Sequence, residues 1–503
     1  MKIVKKSISI IILAAVISFP VTGQEVHYLD LETSIEVAKN QSYTMKLLRE
    51  QLSGAGYNLK AATSQFKTHI DLDMTMPQYT ETIRQWEDST GISFYPVRQN
   101  QLSSYLNINQ PLPTDGYIYI RSGVQNFTDY FADDRNAQIS SSIGLRQPIE
   151  ALFGFNNIQL NFKQAKLNYD LTLKRLKRNE LDLVYSVSQA YYALLSAREQ
   201  MDIARMNLER QQEAAGIAQN KYSAGLIREV EALQMEVDLS AALNNYDNAR
   251  VNYSSQQNLF KESLGIDLAD SIALDSELNY QAVIIDVDKA IKLALENRLE
   301  LKENEIQIEL QEMNVKRQKA AGMISGDVIL NYNFIGVDKS SRDIPIGTTF
   351  DNTFQNLVDR PGSFGVGLTA RIPILDWGEN KARVRSAQSS LKQNQIQMDG
   401  EKISIEREIR TLVAQLQNSL NGLIIMENSV GVAEKSFEIS RKRYANGEID
   451  SQAMALERER LNQTYLSRLS SYINYRLGLS DLMRKTFYDF ENDREIIPET
   501  INN

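Results

Sequence analysis

The sequence predicts a mainly α-helical protein with a membrane β-barrel portion, its long coiled-coil helices and its strands arranged as two internal structural repeats. The first sign is where proline falls. The chain has 503 residues and 10 prolines, and apart from Pro20 and Pro498 all lie between Pro77 and Pro148 or between Pro345 and Pro373. A proline inside a helix costs about 3 kcal/mol, so long helices fit only in the proline-free stretches that follow each window. The second sign is alternation: inside the windows apolar and polar residues alternate with period two, as in a strand with one apolar face. The third is duplication: QNKYSAGLIR, Gln219 to Arg228, has a near copy in RKRYANGEID, Arg441 to Asp450, with Tyr222 and Gly225 repeated as Tyr444 and Gly447.

Residues 1–23 read as a signal peptide. Lys2, Lys5 and Lys6 precede an apolar run from Ile8 to Phe19, and Val21, Thr22 and Gly23 supply small residues before Gln24. That run is too short to span a bilayer, and no later stretch approaches the roughly 18 to 20 apolar residues a membrane helix needs. Any membrane portion is therefore expected to be strands. With no cysteine, disulfides, thiolate metal sites and a lipidated cysteine are excluded. The formal charge is −9, and losing the three signal lysines takes it to −12, which argues against nucleic acid as a partner.

The first repeat is assigned to 24–280: helices, strands at about 68–147, a long helix at 156–221, a turn, and a helix at 226–264. The second occupies 281–486: helices, strands at about 327–373, a long helix at 379–444, a turn, and a helix at 449–485. A polar tail, 487–503, closes the chain. The offset between matching residues is 256 for Ile35 and Ile291, 225 for Pro148 and Pro373, and 222 for Tyr222 and Tyr444. The first strand window therefore holds about 30 residues more than the second.

Strand signals in the first window are Ile70, Leu72, Met74 and Met76, then Ile139, Ile143 and Leu145, with strand-like pieces from Tyr105 to Gln110 and from Tyr117 to Val124. In the second, Val328, Leu330, Tyr332 and Phe334 alternate mostly with amides and small polar residues. Phe364, Val366, Leu368, Ala370 and Ile372 alternate with Gly365, Gly367, Thr369 and Arg371. The run from Gly362 to Gly367 is not a phosphate loop: no lysine-serine pair follows it, and it sits inside an alternating strand.

Both windows end alike. Pro148 is followed by Phe153 and Gly154, and Pro373 by Trp377 and Gly378, marking strand-to-helix junctions. Each long helix, at 1.5 Å per residue, would be roughly 100 Å long. The seam Val184, Val187, Tyr191, Leu194 and Met201 has the spacing of a helix packed against partner helices. On the helices alone, a structural coiled-coil protein of the cell envelope fits as well; the strand windows argue against it. A helix that must reverse needs a residue comfortable at positive φ just past its last turn, which is the role expected of Gly225 and Gly447. The tyrosine three residues upstream would pack across that turn with its hydroxyl in water.

The order and duplication of Pro373-Ile-Leu-Asp-Trp-Gly378, its counterpart Pro148 to Gly154, the paired Tyr-x-x-Gly turns, and the helix breaks Ala38-Lys-Asn-Gln-Ser and Ala294-Leu-Glu-Asn-Arg resemble the TolC-like outer-membrane efflux protein family, over nearly all of the chain to about Lys485. The resemblance implies a homotrimer whose chains each give four strands to one shared twelve-stranded outer-membrane barrel, with helices forming a tunnel across the periplasm. It further implies an exit duct of a tripartite efflux or secretion system. Such a duct passively conducts small molecules or polypeptides, with a periplasmic adaptor protein docking at the helix tips and an inner-membrane transporter reached through the adaptor. Carried over by position, Tyr222, Gly225, Tyr444 and Gly447 would lie at those tips. The family often places aspartates after the second glycine as a constricting ring. Here the acidic residues are Glu448, Asp450 and Glu457, and the spacing departs from that pattern, so a solvated helix face is the competing account.

No enzyme site and no cofactor are expected. His27 and His69 are the only histidines, 42 residues apart, without ligand spacing. Glu300, Glu303 and Glu305 share a helix with Lys302 and read as a solvated face.

Overall fold

The structure, a computed structural model, describes residues 26–274 and 278–496; the expected signal peptide lies outside the described residues. In chain order the elements are β1 (Val26–Leu29), α1 (Leu31–Gln41), α2 (Tyr43–Ser64), β2 (His69–Asp88), β3 (Gly91–Pro111), β4 (Tyr117–Asp129), β5 (Asp134–Pro148), α3 (Asn157–Ser223), α4 (Glu229–Leu264) and β6 (Ser271–Leu274). They continue with α5 (Val287–Asn297), α6 (Leu299–Ala321), β7 (Ser325–Ser341), α7 (Ile346–Asp359), β8 (Ser363–Arg371), α8 (Glu379–Ala445), α9 (Ser451–Thr486), β9 (Tyr488–Asp489) and β10 (Arg494–Glu495). The chain is mostly helical. α1 and α5 have 11 residues each, α2 and α6 22 and 23, α3 and α8 67 each, and α4 and α9 36 each.

The described residues divide into two compact units, one of 26–46, 180–274, 278–286 and 411–496, the other of 47–179 and 287–410. In the first, parallel β1 and β6 pair Val26 with Ser271, and Asp30 starts α1 with a capping box shared with Thr33. Of the predicted seam, Val187 and Leu194 are fully buried and Tyr191 nearly so. The Tyr191 ring meets Phe260 edge-on at 6.1 Å, and Tyr192 meets Tyr472 at 6.4 Å. The buried Tyr475 donates its hydroxyl proton to Gln281 O at 2.8 Å and accepts from Val283 N at 3.0 Å, tying the connection between the halves to α9. The segment after α9 is not a simple polar tail. Phe487, Tyr488 and Asp489 are buried, and β9 pairs with β10 as a small hairpin. Two of its carboxylates are paired within this fold: Asp489 with Arg494, and Glu491 with Arg476.

The second unit holds a six-stranded antiparallel sheet in the order β2-β3-β4-β5-β7-β8. Six strands per chain, rather than four, is a correction to the expectation carried by resemblance. The roughly 30 additional residues of the first window do not lengthen a loop; they supply a further strand pair. Another correction lies in the second window, where α7 stands between β7 and β8. It begins directly after Pro345, its N-cap residue. Proline is excluded from a helix interior but is compatible with its start, so the proline-bearing window still admits this short helix.

The sheet register explains the alternation. Ile70, Ile108, Ile120, Ile143, Tyr332 and Phe364 are successive partners across all six strands. The adjacent row is Asp71, Asn107, Arg121, Ser142, Asn333 and Ser363. Neighbouring residues of a strand point to opposite faces, so one face is apolar and the other polar. The apolar face is not covered: Ile70, Phe364, Val366 and Leu368 are 65, 67, 65 and 70% exposed. β2 and β8 are the two free edges.

Candidate functional site

The two helix turns are built alike. α3 ends with Gly225 at φ +72°, where Gly225 N donates to Tyr222 O at 2.8 Å and Leu226 N to Lys221 O at 2.9 Å. α8 ends with Gly447 at φ +80°, where Gly447 N donates to Tyr444 O at 3.0 Å and Glu448 N to Arg443 O at 2.9 Å. This paired closure satisfies carbonyls that a helix end leaves free, and it needs a residue without a Cβ penalty at positive φ. A Cβ at either glycine would meet nothing within 4 Å, so it is backbone conformation that selects glycine at both turns.

The tyrosines differ. Tyr222 is 38% exposed, whereas Tyr444 is only 4% exposed, in a cluster with Ala433, Phe437, Met454 and Leu461. Burial pushes the Tyr444 phenol above its ordinary range, with Glu231 adding to the rise. Lys221, which the sequence did not single out, joins the turns. Its Nζ donates to Tyr444 O and lies 4.4 Å from the centre of the Tyr444 ring. Behind it, Arg441 pairs with Glu213 at 2.9 Å, and Arg210 lies 5.2 Å from the Phe437 ring. These contacts join residues more than 200 positions apart, which no local pattern reveals.

The three acidic candidates are each engaged within the chain. Asp450 is the N-cap of α9, its Oδ1 accepting from Ala453 N at 2.8 Å. Glu448 pairs with Arg443 at 3.2 Å. Glu457 accepts from Ser436 Oγ at 2.9 Å and pairs with Arg460 at 3.1 Å.

The strand-to-helix junctions are the second construction. After Pro148 a 3₁₀ turn, Ile149–Phe153, leads to Gly154 at φ +78°. Asp115, from the β3–β4 turn, then accepts from Asn157 N and Ile158 N at 3.0 and 3.1 Å at the start of α3. After Pro373, Asp376 accepts from Gly378 N at 2.9 Å and Asn380 N at 3.0 Å, with Trp377 at φ +53° and Gly378 at φ +82°. The backbone N–H of Asn380, and then that of Gly378, hold the Asp376 carboxyl below the usual carboxylate range. Phe153, Ile374 and Trp377 are 54, 94 and 91% exposed.

Among the described residues no cluster of His, Cys, Asp or Glu that could hold a metal is present, and no helix is long and apolar enough to cross a membrane. The architecture is thus that of a helical protein carrying a sheet with an uncovered apolar face. Residues 121–265 and 290–464 match the model of the outer membrane efflux protein family, and the chain belongs to that family, one of channel proteins. No curated protein matches it. The fold is shared with the CmeC outer membrane channel of Campylobacter jejuni, at 15% identity over 93% of this chain and 86% of that one, TM-score 0.67. It is shared also with the outer membrane protein VceC of Vibrio cholerae, at 14% identity over 91 and 95%, TM-score 0.63. The MtrE outer membrane channel of Neisseria gonorrhoeae matches at 13% identity over 92 and 90%, TM-score 0.62.

Proposed function

We propose that the protein is the outer-membrane exit duct of a tripartite efflux or secretion system, passively conducting small molecules or polypeptides handed over by an inner-membrane transporter and a periplasmic adaptor. The observation that carries this reading is the sheet, whose exposed apolar row borders a polar row across all six strands. In water the apolar face would be a liability; in a bilayer it is the lipid face of a channel whose polar face lines the lumen. An open edge in lipid leaves backbone groups unsatisfied, so the sheet has to close. Six strands fall short of the eight of the smallest membrane barrels, so closure requires further copies, and a homotrimer would supply eighteen strands in all. The matched helix lengths support two repeats, and the glycine turns with Tyr222, Gly225, Tyr444 and Gly447 are assigned as the tips that receive the adaptor. Glu448, Asp450 and Glu457 are candidates for an acidic constriction there.

Outer-membrane fractionation, the mass of the detergent-extracted complex and planar-bilayer recording test this together. The expected result is an outer-membrane species close to three times the mass of one chain that forms ion-conducting pores. A soluble periplasmic species without conductance would refute it and favour a structural coiled-coil protein.

A further inference from the structure

We propose that α7 and the far part of the β2–β3 hairpin form a contact between neighbouring copies of this chain, sealing the seam where one sheet meets the next. The inference rests on the closure of the sheet by further copies proposed above.

The two edges of the sheet are unequal. β8 offers nine residues, Ser363–Arg371, whereas β2 runs for 20, His69–Asp88. β8 begins opposite Asn333, so residues 334–341 of β7 have no β8 partner. α7 stands there instead: Asn356 Oδ1 accepts from Val337 N at 3.0 Å, and Thr349 Oγ1 lies 3.2 Å from Ser340 Oγ. A Cβ on Gly336 would lie 2.2 Å from Thr353 O and 2.7 Å from Leu357 Cβ, which shows how closely the helix is seated. α7 therefore lies over the part of β7 that β8 leaves unpaired, on the face of Gly336 and Ser340 and reaching β5 as well, and Asn356 caps the Val337 N–H that β8 does not reach.

Seated in this way, α7 buries Thr349 and Thr353 while Ile346, Phe354 and Val358 stay 46, 58 and 67% exposed. An isolated helix in water would be expected to turn the phenylalanine and valine inward. At the other edge, β4 ends at Asp129 opposite Gln99, so beyond that level β2 and β3 continue as a two-stranded ribbon. Such a ribbon is marginal by itself. On one face of it Ile83, Ile92 and Phe94 are 71, 57 and 68% exposed. When β8 of one copy pairs with β2 of the next, about half of β2 extends past β8, alongside α7. The exposed edge of the helix then meets the apolar side chains of the ribbon, and each covers what the other leaves bare.

Because the chain has no cysteine, engineered thiols are the only ones present. In outer membranes under mild oxidation, Phe354→Cys combined in turn with Ile83→Cys, Ile92→Cys and Phe94→Cys should give covalent bands beyond dimer size in at least one pairing, with none from the single variants. Val366→Cys combined in turn with Ile70→Cys, Leu72→Cys and Met74→Cys tests sheet closure itself. If this second set crosslinks and the Phe354 set does not, the α7 contact is overturned while closure stands. If neither crosslinks, closure fails and the contact falls with it. A fluorophore on Phe354→Cys in reconstituted vesicles supplies the remaining check: quenching by lipid-borne quenchers would show that α7 faces lipid, which also overturns the proposal. Phe354→Ser with Val358→Ser should lower the melting temperature of the oligomer without lowering the yield of inserted chain.

Discussion

Asp450 is a residue with two possible jobs, charge and cap, and its hydrogen bond to Ala453 N lets them be separated. Asn caps a helix about as well as Asp, whereas Ala loses about 1 kcal/mol. Asp450→Ala should therefore lower the thermal stability of the purified protein, and Asp450→Asn should not; equal losses would mean that the charge, not the cap, matters for stability. Asp376 gives a pH dependence. Its folded carboxyl is held below the ordinary range, foremost by Asn380 N–H and then by Gly378 N–H. The cap's contribution is therefore fully present above the ordinary aspartate value near 4, and is lost as pH falls through the depressed folded value. Asp376→Asn should flatten the acid limb of the stability curve, measured by thermal melts between pH 2 and pH 6. An unchanged limb would show that this carboxylate is not linked to folding.

Elements test the two faces of the sheet and the two turns. Val366 is paired with Leu330 on the apolar face and is 65% exposed; arginine there should cost about 2 to 4 kcal/mol in the bilayer. Gly367, on the other face, has room, since an added Cβ would lie 4.0 Å from Ile329 Cβ, so Gly367→Ser should insert normally and alter conductance instead. Urea titration of protein folded into lipid vesicles separates the two; similar losses would mean that the faces are misassigned. At the turns, Gly447→Pro removes the N–H that Tyr444 O accepts and forbids the positive φ. It should impair export while oligomer yield holds, and normal drug resistance at normal yield would exclude a role for the turn. These elements were legible because proline and glycine punctuate them: the glycine turns, the proline-terminated strands and the long helices each have a local cause. What was not legible had no local cause. α7 hides behind a proline that starts rather than stops it. Of the β2–β3 hairpin only the ends, Ile70 to Met76 and Tyr105 to Gln110, carry a strand signal, and the stretch between them becomes strand through pairing. Lys221, Asp115 and the Arg441–Glu213 pair act on partners brought near only by folding.

For the whole molecule the acidic residues at the turns test whether the turns control passage. Within one chain Glu448, Asp450 and Glu457 already have partners in Arg443, Ala453 N and Ser436 with Arg460, which is what ordinary surface carboxylates would show. In a closed homotrimer the same three residues recur in each copy. If they face a common constriction, several carboxylates share a confined space, and bound cations would relieve their mutual repulsion. Multivalent cations should then block single-channel current from the periplasmic side only. The triple variant Glu448→Gln, Asp450→Asn and Glu457→Gln removes the charge while keeping side-chain size and the α9 cap, so it should weaken the block and raise conductance without loss of thermal stability. Planar-bilayer recording with a trivalent ion added to each side in turn decides between the accounts. Side-selective block that disappears in the variant would place the carboxylates at the constriction. Identical block curves for both proteins would leave them as solvated charges.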